Sequence, residues 1–273
     1  MEVDQSLFVR EGETFVPTAS AGGPWSPSHL HGGSPTGLLA LLMEQATADT
    51  GLRLSRLTVD LLRPVPAAPL TAELAVVRAG RRLRVLQASL LADGVEVCRA
   101  SGLFLEQAGA EVPAFGRFET GGLEPRGDRP VMTLAEVGGG RKGGDWTPRG
   151  LHTTARICVL DGVGGRGQGR VWMSLPVPVV AGEPCSPLVR AATLSDFGNG
   201  IAQLRLAPDV GSINSDLSLY LHRDPRGEWL GLDARARMQD NGTGLVDTTL
   251  YDEDGPVGRV LQATLAMPLY AGG

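Results

Sequence analysis

The 273-residue sequence lacks several features that would mark a membrane, secreted or metal-binding protein. No apolar run approaches the roughly 18 residues that a membrane span requires. The first residues, MEVDQSLFVREGE, lack the basic region and apolar run of a secretory signal. Cys98, Cys158 and Cys185 form no CxxC pair, so they predict buried free thiols rather than disulfides or a zinc site. We therefore expect a cytoplasmic protein with no metal and no membrane partner.

Basic residues are sparse and are almost all arginine, with Lys142 the single lysine and a net charge of −5. The densest basic run, Arg81, Arg82 and Arg84, is too short for a nucleic-acid-binding surface. We interpret it as a solvated hairpin, with a patch that contacts the phosphates of a small ligand as the smaller alternative. Nucleic acid is therefore not an expected partner.

Hydrophobic residues make up 42% of the chain, which is enough for a sizeable core. Residues 107–150, by contrast, are rich in glycine and proline, with a short ordered piece expected around Val131–Val137. Such a long irregular segment is uncommon inside one compact domain. We therefore predict an N-terminal domain (1–106), a linker (107–150) and a C-terminal domain (151–273).

The two predicted domains resemble each other in sequence pattern. Near the end of the first is LTVDLLRPVPAAPLTAELAVVRAGRRLRVLQASLLADGVEVCRASGLFL, and near the end of the second is SDLSLYLHRDPRGEWLGLDARARMQDNGTGLVDTTLYDEDGPVGRVLQATLAM. Both alternate apolar and polar residues, as strands do, and Asp93-Gly94 and Asp254-Gly255 each predict a hairpin. Each half is therefore expected to end in several antiparallel strands.

Each half also contains one helix-like stretch that begins with Ser-Pro, SPTGLLALLMEQATAD in the first and SPLVRAATLSDFGNG in the second. Serine at the N-cap and proline at the first helical position are typical of a helix start. Both stretches are apolar on most sides, as helices surrounded by protein are. A helix wrapped by a curved antiparallel sheet accommodates this order of elements, so we predict a duplicated α+β fold.

This order of motifs resembles the double hot-dog acyl-CoA thioesterases of type II. The resemblance rests on GPWSPSHLHGG before the first helix, LSDFGNG on the second helix, and the strands LSLYLHRDPRGEW and VGRVLQATLAMP. It implies a tandem hot-dog fold and hydrolysis of an acyl-CoA or acyl-carrier-protein thioester, with no covalent serine or cysteine step. No cofactor is implied beyond the CoA of the substrate, and assembly into a homo-oligomer is expected.

The resemblance also implies a water-binding set of three side chains. The family's Asp falls on Asp196, its Gln on Gln262, and its middle residue on Asn214, or on Ser215 if the register shifts by one. Asparagine departs from the usual Thr or Ser at this position. A carboxylate within apolar LVRAATLSDFGNG is costly unless it is paired, hydrated or used. We predict a raised pKa for Asp196, which would suit proton abstraction near neutrality.

Some of these polar residues have ordinary structural interpretations. Gln262 shares one face of its strand with Val260 and Thr264, so on sequence alone it could equally lie on a solvated sheet face. Asn199 is typical of a residue that ends a helix at the FGNG turn.

Glu44 occupies on the first helix the position that Asp196 occupies on the second, so two pseudo-symmetric sites are conceivable. In hot-dog thioesterases this carboxylate faces a backbone N–H that polarises the thioester carbonyl. Asp196 would face the first half's loop, His31, Gly32 and Gly33. Glu44 would face a loop in which Pro184 offers no N–H. The Asp196 site is therefore the expected working site, and Glu44 a remnant or a charge on the rim.

Two other functions remain open. Hot-dog dehydratases use a histidine with an acid on the facing helix, so His31 with Asp196 would suit a hydratase or dehydratase. His31 would otherwise only shape its loop. A non-catalytic acyl-thioester-binding protein is the third possibility. The GxGxxG match at residues 162–167 is followed by a strand rather than a helix, which predicts a hairpin turn and not a nucleotide loop.

Overall fold

The computed structural model describes residues 6–118, 121–137 and 149–268. Within the first range the strands are β1 (Phe8–Glu11), β2 (Thr14–Pro17), β3 (Arg53–Leu61), β4 (Leu70–Ala79), β5 (Leu83–Ala92) and β6 (Val95–Leu105). Within the last they are β7 (Arg156–Asp161), β8 (Gln168–Ser174), β9 (Val210–Asn214), β10 (Asp216–Leu221), β11 (Leu230–Met238), β12 (Thr243–Asp252) and β13 (Gly255–Pro268). They form one antiparallel sheet in the order β1-β2-β4-β5-β6-β3-β10-β13-β12-β11-β8-β7, with β9 pairing with β13.

The two halves of the sheet join where β3 pairs with β10, and Thr58 Oγ1 lies 3.2 Å from Ser218 Oγ across this pair. The internal register repeats as well. Leu54 is paired with Phe104 in the first half, and Asn214, 160 positions after Leu54, is paired with Thr264 in the second. The repeated register confirms the duplicated α+β fold.

The helices are α1 (Gly33–Gln45), α2 (Leu134–Val137), α3 (Leu151–Thr154), α4 (Pro187–Ser195) and α5 (Gly198–Ile201), with short 3-10 turns at Ala19–Ala21 and Ala114–Gly116. The helices α1 and α4 contact each other, and the inner face of the sheet covers them. Ten residues of α1 are buried, as expected for a helix that is apolar on most sides.

The predicted helix start is confirmed at α4 and wrong at α1. Ser186 caps α4 by accepting the N–H of Val189 at 3.1 Å. The first helix begins at Gly33 with Gly32 as its N-cap, two residues earlier than Ser-Pro predicts. Ser34 cannot cap it, because the Ser34 hydroxyl instead donates to the carbonyl of Ala21 at 2.9 Å.

The predicted hairpins are present. Asp93 and Gly94 join β5 to β6 with φ angles of 49° and 74°, the left-handed conformation that a two-residue hairpin loop requires. Gly255 opens β13 directly after the turn that follows β12. The GxGxxG match lies between the antiparallel strands β7 and β8, so it is a hairpin turn. The stretch Leu151–Thr154 is a helical turn that directly precedes β7.

Parts of the predicted linker contact the second half of the sheet. Trp172 Nε1 donates to the carbonyl of Glu124 at 2.8 Å, and Leu123 is buried against Trp172. Met132 pairs with Ile157, and α2 falls inside the predicted ordered piece Val131–Val137. Residues 138–148 of this segment lie outside the described residues, and the three-part domain division remains a prediction.

The described residues also bear on the predictions about membrane spans, metal sites and cysteines. Across the described ranges, no helix is long and apolar enough to cross a membrane, and no cluster of three or more potential metal ligands is found. The three cysteines are free, with Cys98 and Cys158 buried and Cys185 half-buried. Burial raises the pKa of the Cys98 thiol to about 12 and raises the pKa values of Cys158 and Cys185. The three thiols are therefore poor nucleophiles.

Candidate active site

Asp196 lies at the junction of two helical segments, between the last residue of α4 and the start of α5. The sequence predicted a mid-helix position, but the N–H of Phe197 bonds to the carbonyl of Leu194, three residues back, and the α-helix ends there. Asp196 is only 7% exposed, so its carboxylate depends on protein donors rather than on bulk water.

One oxygen of this carboxylate faces the last strands of the second half. Asn214 Nδ2 donates to Asp196 Oδ1 at 2.8 Å, and Gln262 Nε2 lies 3.4 Å from the same oxygen. Gln262 projects inward from β13 and is fully buried, so the solvated-face interpretation of this strand position is wrong. The structure thus brings together the three residues that the resemblance groups.

Asn214, and not Ser215, occupies the middle position of the set. Ser215 lies between β9 and β10, its side chain is exposed, and its backbone bonds to Ala263 and Leu61. No contact between Ser215 and Asp196 is found among the described residues. The one-residue shift in register that would place Ser215 in the site is therefore excluded.

The other carboxylate oxygen faces the loop before α1. His31 Nδ1 lies 3.0 Å from Asp196 Oδ2. The N–H of Gly33 lies 3.1 Å from the same Nδ1 and also donates to the carboxylate. Nδ1 cannot both accept from Gly33 and donate to Asp196. Because an ionised carboxylate only accepts hydrogen bonds, we assign the proton to Nδ1 and the Gly33 N–H to the carboxylate.

These donors set the charge state of Asp196. Burial alone would raise the pKa of this carboxyl group. The hydrogen bond and charge of His31, followed by the hydrogen bonds of Asn214 and the Gly33 N–H, outweigh burial and hold the pKa below its ordinary value. The predicted raised pKa is therefore wrong, because the site supplies more donors to the ionised form than sequence position reveals.

Gly32 allows the two halves to approach closely. A Cβ on this residue would lie 2.8 Å from Asp196 Oδ2 and 3.1 Å from Leu61 Cδ1, closer than side-chain atoms pack. Its N–H donates no hydrogen bond to any residue that the structure describes. The sequence proposed Gly32 or Gly33 as the donor to a thioester carbonyl. The Gly33 N–H is already bonded, so Gly32 is the remaining candidate.

Two neighbours of Asp196 support the site without having been assigned to it. Phe197 stacks on the His31 ring, with centroids 4.6 Å apart and planes 28° from parallel. The N–H of Asn199 donates to Gln262 Oε1 at 3.1 Å, and the Asn199 side chain bonds to Ser212 at 3.0 and 2.9 Å. Asn199 is thus a positioning residue for Gln262, which a helix-ending turn pattern does not disclose.

Glu44 lies at the pseudo-equivalent position, at the other end of the helix pair. Its Oε1 accepts the hydroxyl of Ser186 at 2.8 Å. Burial raises the pKa of Glu44, the Ser186 hydrogen bond lowers it, and the net direction is upward. A cavity of about 460 Å³ opens beside it, lined both by apolar side chains such as Leu54 and Phe104 and by charged ones such as Arg53 and Asp224.

Cavity volume and polar chemistry therefore point to opposite ends of the helix pair. We give more weight to the polar contacts, because a reacting thioester needs hydrogen-bond donors where charge develops. The cavity beside Glu44 offers no side-chain amide, whereas Asp196 is met by Asn214 and Gln262. The sequence preference for Asp196 over Glu44 agrees with this difference.

Comparison with known proteins gives two family matches on this chain. Residues 21–105 match the acyl-CoA thioesterase N-terminal domain, and residues 126–266 match the acyl-CoA thioesterase C-terminal domain. No curated relative of the chain was found by sequence. The two matched ranges cover both halves of the sheet, including the residues around Asp196.

Solved structures resemble the whole chain. A hot-dog-fold protein of unknown function from Alicyclobacillus acidocaldarius matches with a TM-score of 0.69 and 16% identity, covering 98% of each chain. An acyl-CoA thioesterase II from Mycobacterium marinum matches with a TM-score of 0.64 and 18% identity over 100% of each. The tesB protein of Mycobacterium avium matches with a TM-score of 0.62 and 17% identity over 96% of each. The chain has the tandem hot-dog fold and belongs to the acyl-CoA thioesterase family.

Proposed function

We propose that this chain hydrolyses an acyl-CoA thioester at the Asp196 site, releasing a free acid and a thiol. The supporting observation is that a buried carboxylate from the second half meets both amide side chains, Asn214 and Gln262, and the His31–Gly33 loop of the first half. An acyl-carrier-protein thioester would present the same reacting group, and CoA enters only as part of the substrate.

The attacking water would be held beside Asp196, Asn214 and Gln262. Asn214 Oδ1 accepts no hydrogen bond from the described residues, so it is available to orient a water hydrogen. The thioester carbonyl would lie against the N–H of Gly32, which is at the N-terminus of α1. Both the N–H and the partial positive charge of the helix end favour the negative charge that develops on the carbonyl oxygen.

The chemistry proposed uses water rather than a covalent intermediate on sulfur. Burial raises the pKa of each of the three cysteines, so a thiolate nucleophile is disfavoured at neutral pH. The acyl chain would lie between α1 and the sheet, among apolar side chains such as Leu38, Leu39 and Met43, which are buried there.

A hydratase or dehydratase is the second candidate, and one contact favours it. His31 Nδ1 lies 3.0 Å from Asp196 Oδ2, which is the histidine–acid pairing that such an enzyme would need. The two candidates differ in product, because hydration of an enoyl thioester leaves the thioester bond intact.

The experiment is a thiol-release assay of the wild type and Asp196→Asn on saturated acyl-CoA substrates of increasing chain length. We expect wild-type thiol release and a loss of about 10³-fold in the variant, the size of effect seen when a catalytic polar group is removed. Hydration of an enoyl-CoA without thiol release would favour the second candidate. Retained acyl-CoA binding without either reaction would identify a non-catalytic binding protein.

We also propose that the chain assembles as a homo-oligomer. The outer face of the sheet exposes Leu245, Leu261 and Leu265, which are 48%, 38% and 45% exposed. A row of large apolar side chains on one sheet face is typical of a surface that contacts another protein. Sedimentation equilibrium tests this, and a monomer at all concentrations would contradict it.

A further inference from the structure

We infer that His31 Nε2, rather than the Asp196 carboxylate, accepts the proton from the attacking water, and that Asp196 holds the imidazole in place. The inference rests on the proposed thioester hydrolysis and adds the residue that transfers the proton. Because Nδ1 faces Asp196, Nε2 lies on the side of the ring away from it, so the inference places the attacking water at Nε2 instead of against Asn214 and Gln262. It follows from the hydrogen bonds around Asp196 and from the environment of the His31 ring.

The Asp196 carboxylate has little capacity left for a water proton. An ionised carboxylate offers about four lone-pair sites. On one side the side-chain amides of Asn214 and Gln262 lie 2.8 and 3.4 Å from Oδ1. On the other side His31 Nδ1 lies 3.0 Å from Oδ2, and the Gly33 N–H also donates. With donors facing both of its oxygens, this carboxylate has few lone pairs left to accept a water proton.

The ring of His31 is held so that its other nitrogen is available. Nδ1 is bonded to Asp196, and the ring stacks on Phe197 at 4.6 Å, so its orientation is fixed on two sides. Nε2 has no hydrogen-bond partner among the described residues, and the side chain is 11% exposed. With the proton on Nδ1, Nε2 carries a lone pair that can accept a proton.

His31 is also next in sequence to Gly32, whose free N–H is the proposed contact of the thioester carbonyl oxygen. Proton acceptor and oxyanion donor therefore come from adjacent residues of one loop. The charged group in contact with the ring is Asp196, whose negative charge stabilises the imidazolium that forms when Nε2 accepts a proton.

The reaction then proceeds in two steps, addition of water and expulsion of the thiolate. Nε2 takes one water proton while the water oxygen bonds to the carbonyl carbon, and the carbonyl π electrons move to the oxygen beside the Gly32 N–H. When this intermediate collapses, the C=O bond re-forms, the C–S bond breaks, and the Nε2 proton passes to the leaving thiolate. The products are a carboxylic acid and a thiol, and His31 returns to its starting state.

Three variants of His31 separate proton transfer from positioning. In His31→Asn the side-chain amide can still donate to Asp196 in place of Nδ1, but no basic nitrogen remains. His31→Gln places a non-basic amide near the position of Nε2, and His31→Ala leaves space for added imidazole. His29→Asn is the matched control, because this histidine lies two residues away in the same loop and the structure gives its side chain no role in the site.

We expect thiol release to fall by about 10²–10⁴-fold in all three variants. The His31→Ala variant should recover activity with added imidazole in proportion to its concentration, and His29→Asn should be unchanged. Near-wild-type activity in His31→Asn, or no rescue of His31→Ala by imidazole, would overturn the inference and leave His31 as a positioning residue. The proposed function would still stand if Asp196→Asn abolishes thiol release, and it fails separately if the wild type releases no thiol.

Discussion

The two pseudo-equivalent carboxylates, Asp196 and Glu44, have opposite environments although the two halves share one fold. Asp196 is met by two side-chain amides, an imidazole and a backbone N–H, and its pKa is lowered. Glu44 is met by the hydroxyl of Ser186, and its pKa is raised. Burial raises the pKa of each group, so the number of donors decides the direction of each shift.

The strand positions opposite the two carboxylates explain this difference. At the position equivalent to Asn214, the first half has Leu54, and at the position equivalent to Gln262 it has Gly102. A Cβ on Gly102 would lie 2.7 Å from Met43 Sδ and 3.0 Å from Phe104 Cε2, so apolar groups occupy the space of an amide. Both halves therefore contain a carboxylate, but among the described residues side-chain amides donate to it in only one of them.

The loops that face the two carboxylates also differ in the polar groups that they offer. When the two helices are aligned, Glu183 is the counterpart of His31. Its carboxylate accepts a hydrogen bond from the side-chain amide of Gln45 at 2.6 Å. Pro184 takes the place of Gly32 and has no N–H to offer a carbonyl oxygen. The imidazole of His31 and the N–H of Gly32 thus have no counterpart at these two positions.

Among changes to the residues that surround the two carboxylates, the largest effect is expected when the Asp196 site is changed to resemble the Glu44 site. Asn214→Leu introduces the residue of the equivalent position and removes the 2.8 Å donor to Asp196 Oδ1. We expect kcat/KM for thiol release to fall by about 10²-fold, as when one polar group that stabilises a reacting site is lost. Leu54→Asn in the other half is the matched control, and equal losses in both variants would contradict the comparison.

A second, smaller effect concerns stability at different pH values. The pKa of Asp196 is lowered by folding, so its stabilisation is complete above its unfolded value near 4 and is lost as the pH falls through the folded value. We expect Asp196→Asn to reduce the free energy of unfolding by about 1–3 kcal/mol at pH 7. The reduction should shrink as the pH falls below about 4.

Substitution of Glu44 should change the free energy of unfolding in the opposite direction. Its folded pKa is raised, so the stability of its neutral form is present below the unfolded value and lost as the pH rises through the folded one. Glu44→Gln should therefore raise stability at pH 7, by less than about 1 kcal/mol because the group is partly solvated. Urea titrations at pH 7 and pH 4 measure both variants, and a change of the same sign in each would refute the account.

The smallest effect is expected at Gly102. Adding a methyl group there brings it against Met43 and Phe104, of which the methionine can move aside. We expect Gly102→Ala to lower the free energy of unfolding by about 1 kcal/mol, at the low end of overpacking effects. Thiol release should be unchanged, because this residue lies in the half without the amide donors. A tenfold loss of activity would show that the Glu44 end of the helix pair takes part in the chemistry.

The sequence predicted most of the elements that the two halves share and that depend on neighbouring residues. The hairpin at Asp93-Gly94 follows from residues that tolerate positive φ, and the start of α4 follows from a serine cap before proline. The grouping of Asp196, Asn214 and Gln262 came from the family resemblance, since these residues lie on separate elements. The strand register that brings them together depends on residues far apart in the sequence, so no single segment shows it.

The errors arose where contacts from distant residues decide the outcome. The start of α1 shifted to Gly33 because Ser34 donates to Ala21 instead of capping the helix. The pKa of Asp196 was predicted to rise because its apolar neighbours in sequence suggested burial alone, whereas its donors come from three other parts of the chain. For the same reason, the motif His31-Gly32-Gly33 does not show that the N–H of Gly33 is already hydrogen-bonded.

The central claim is that one carboxylate of the pair carries the reaction. The most direct test is thiol release from one saturated acyl-CoA by Asp196→Asn and Glu44→Gln, measured beside the wild type under identical conditions. The account predicts a loss of about 10³-fold in Asp196→Asn and a change of less than about threefold in Glu44→Gln. Loss of activity in Glu44→Gln with activity retained in Asp196→Asn would contradict it.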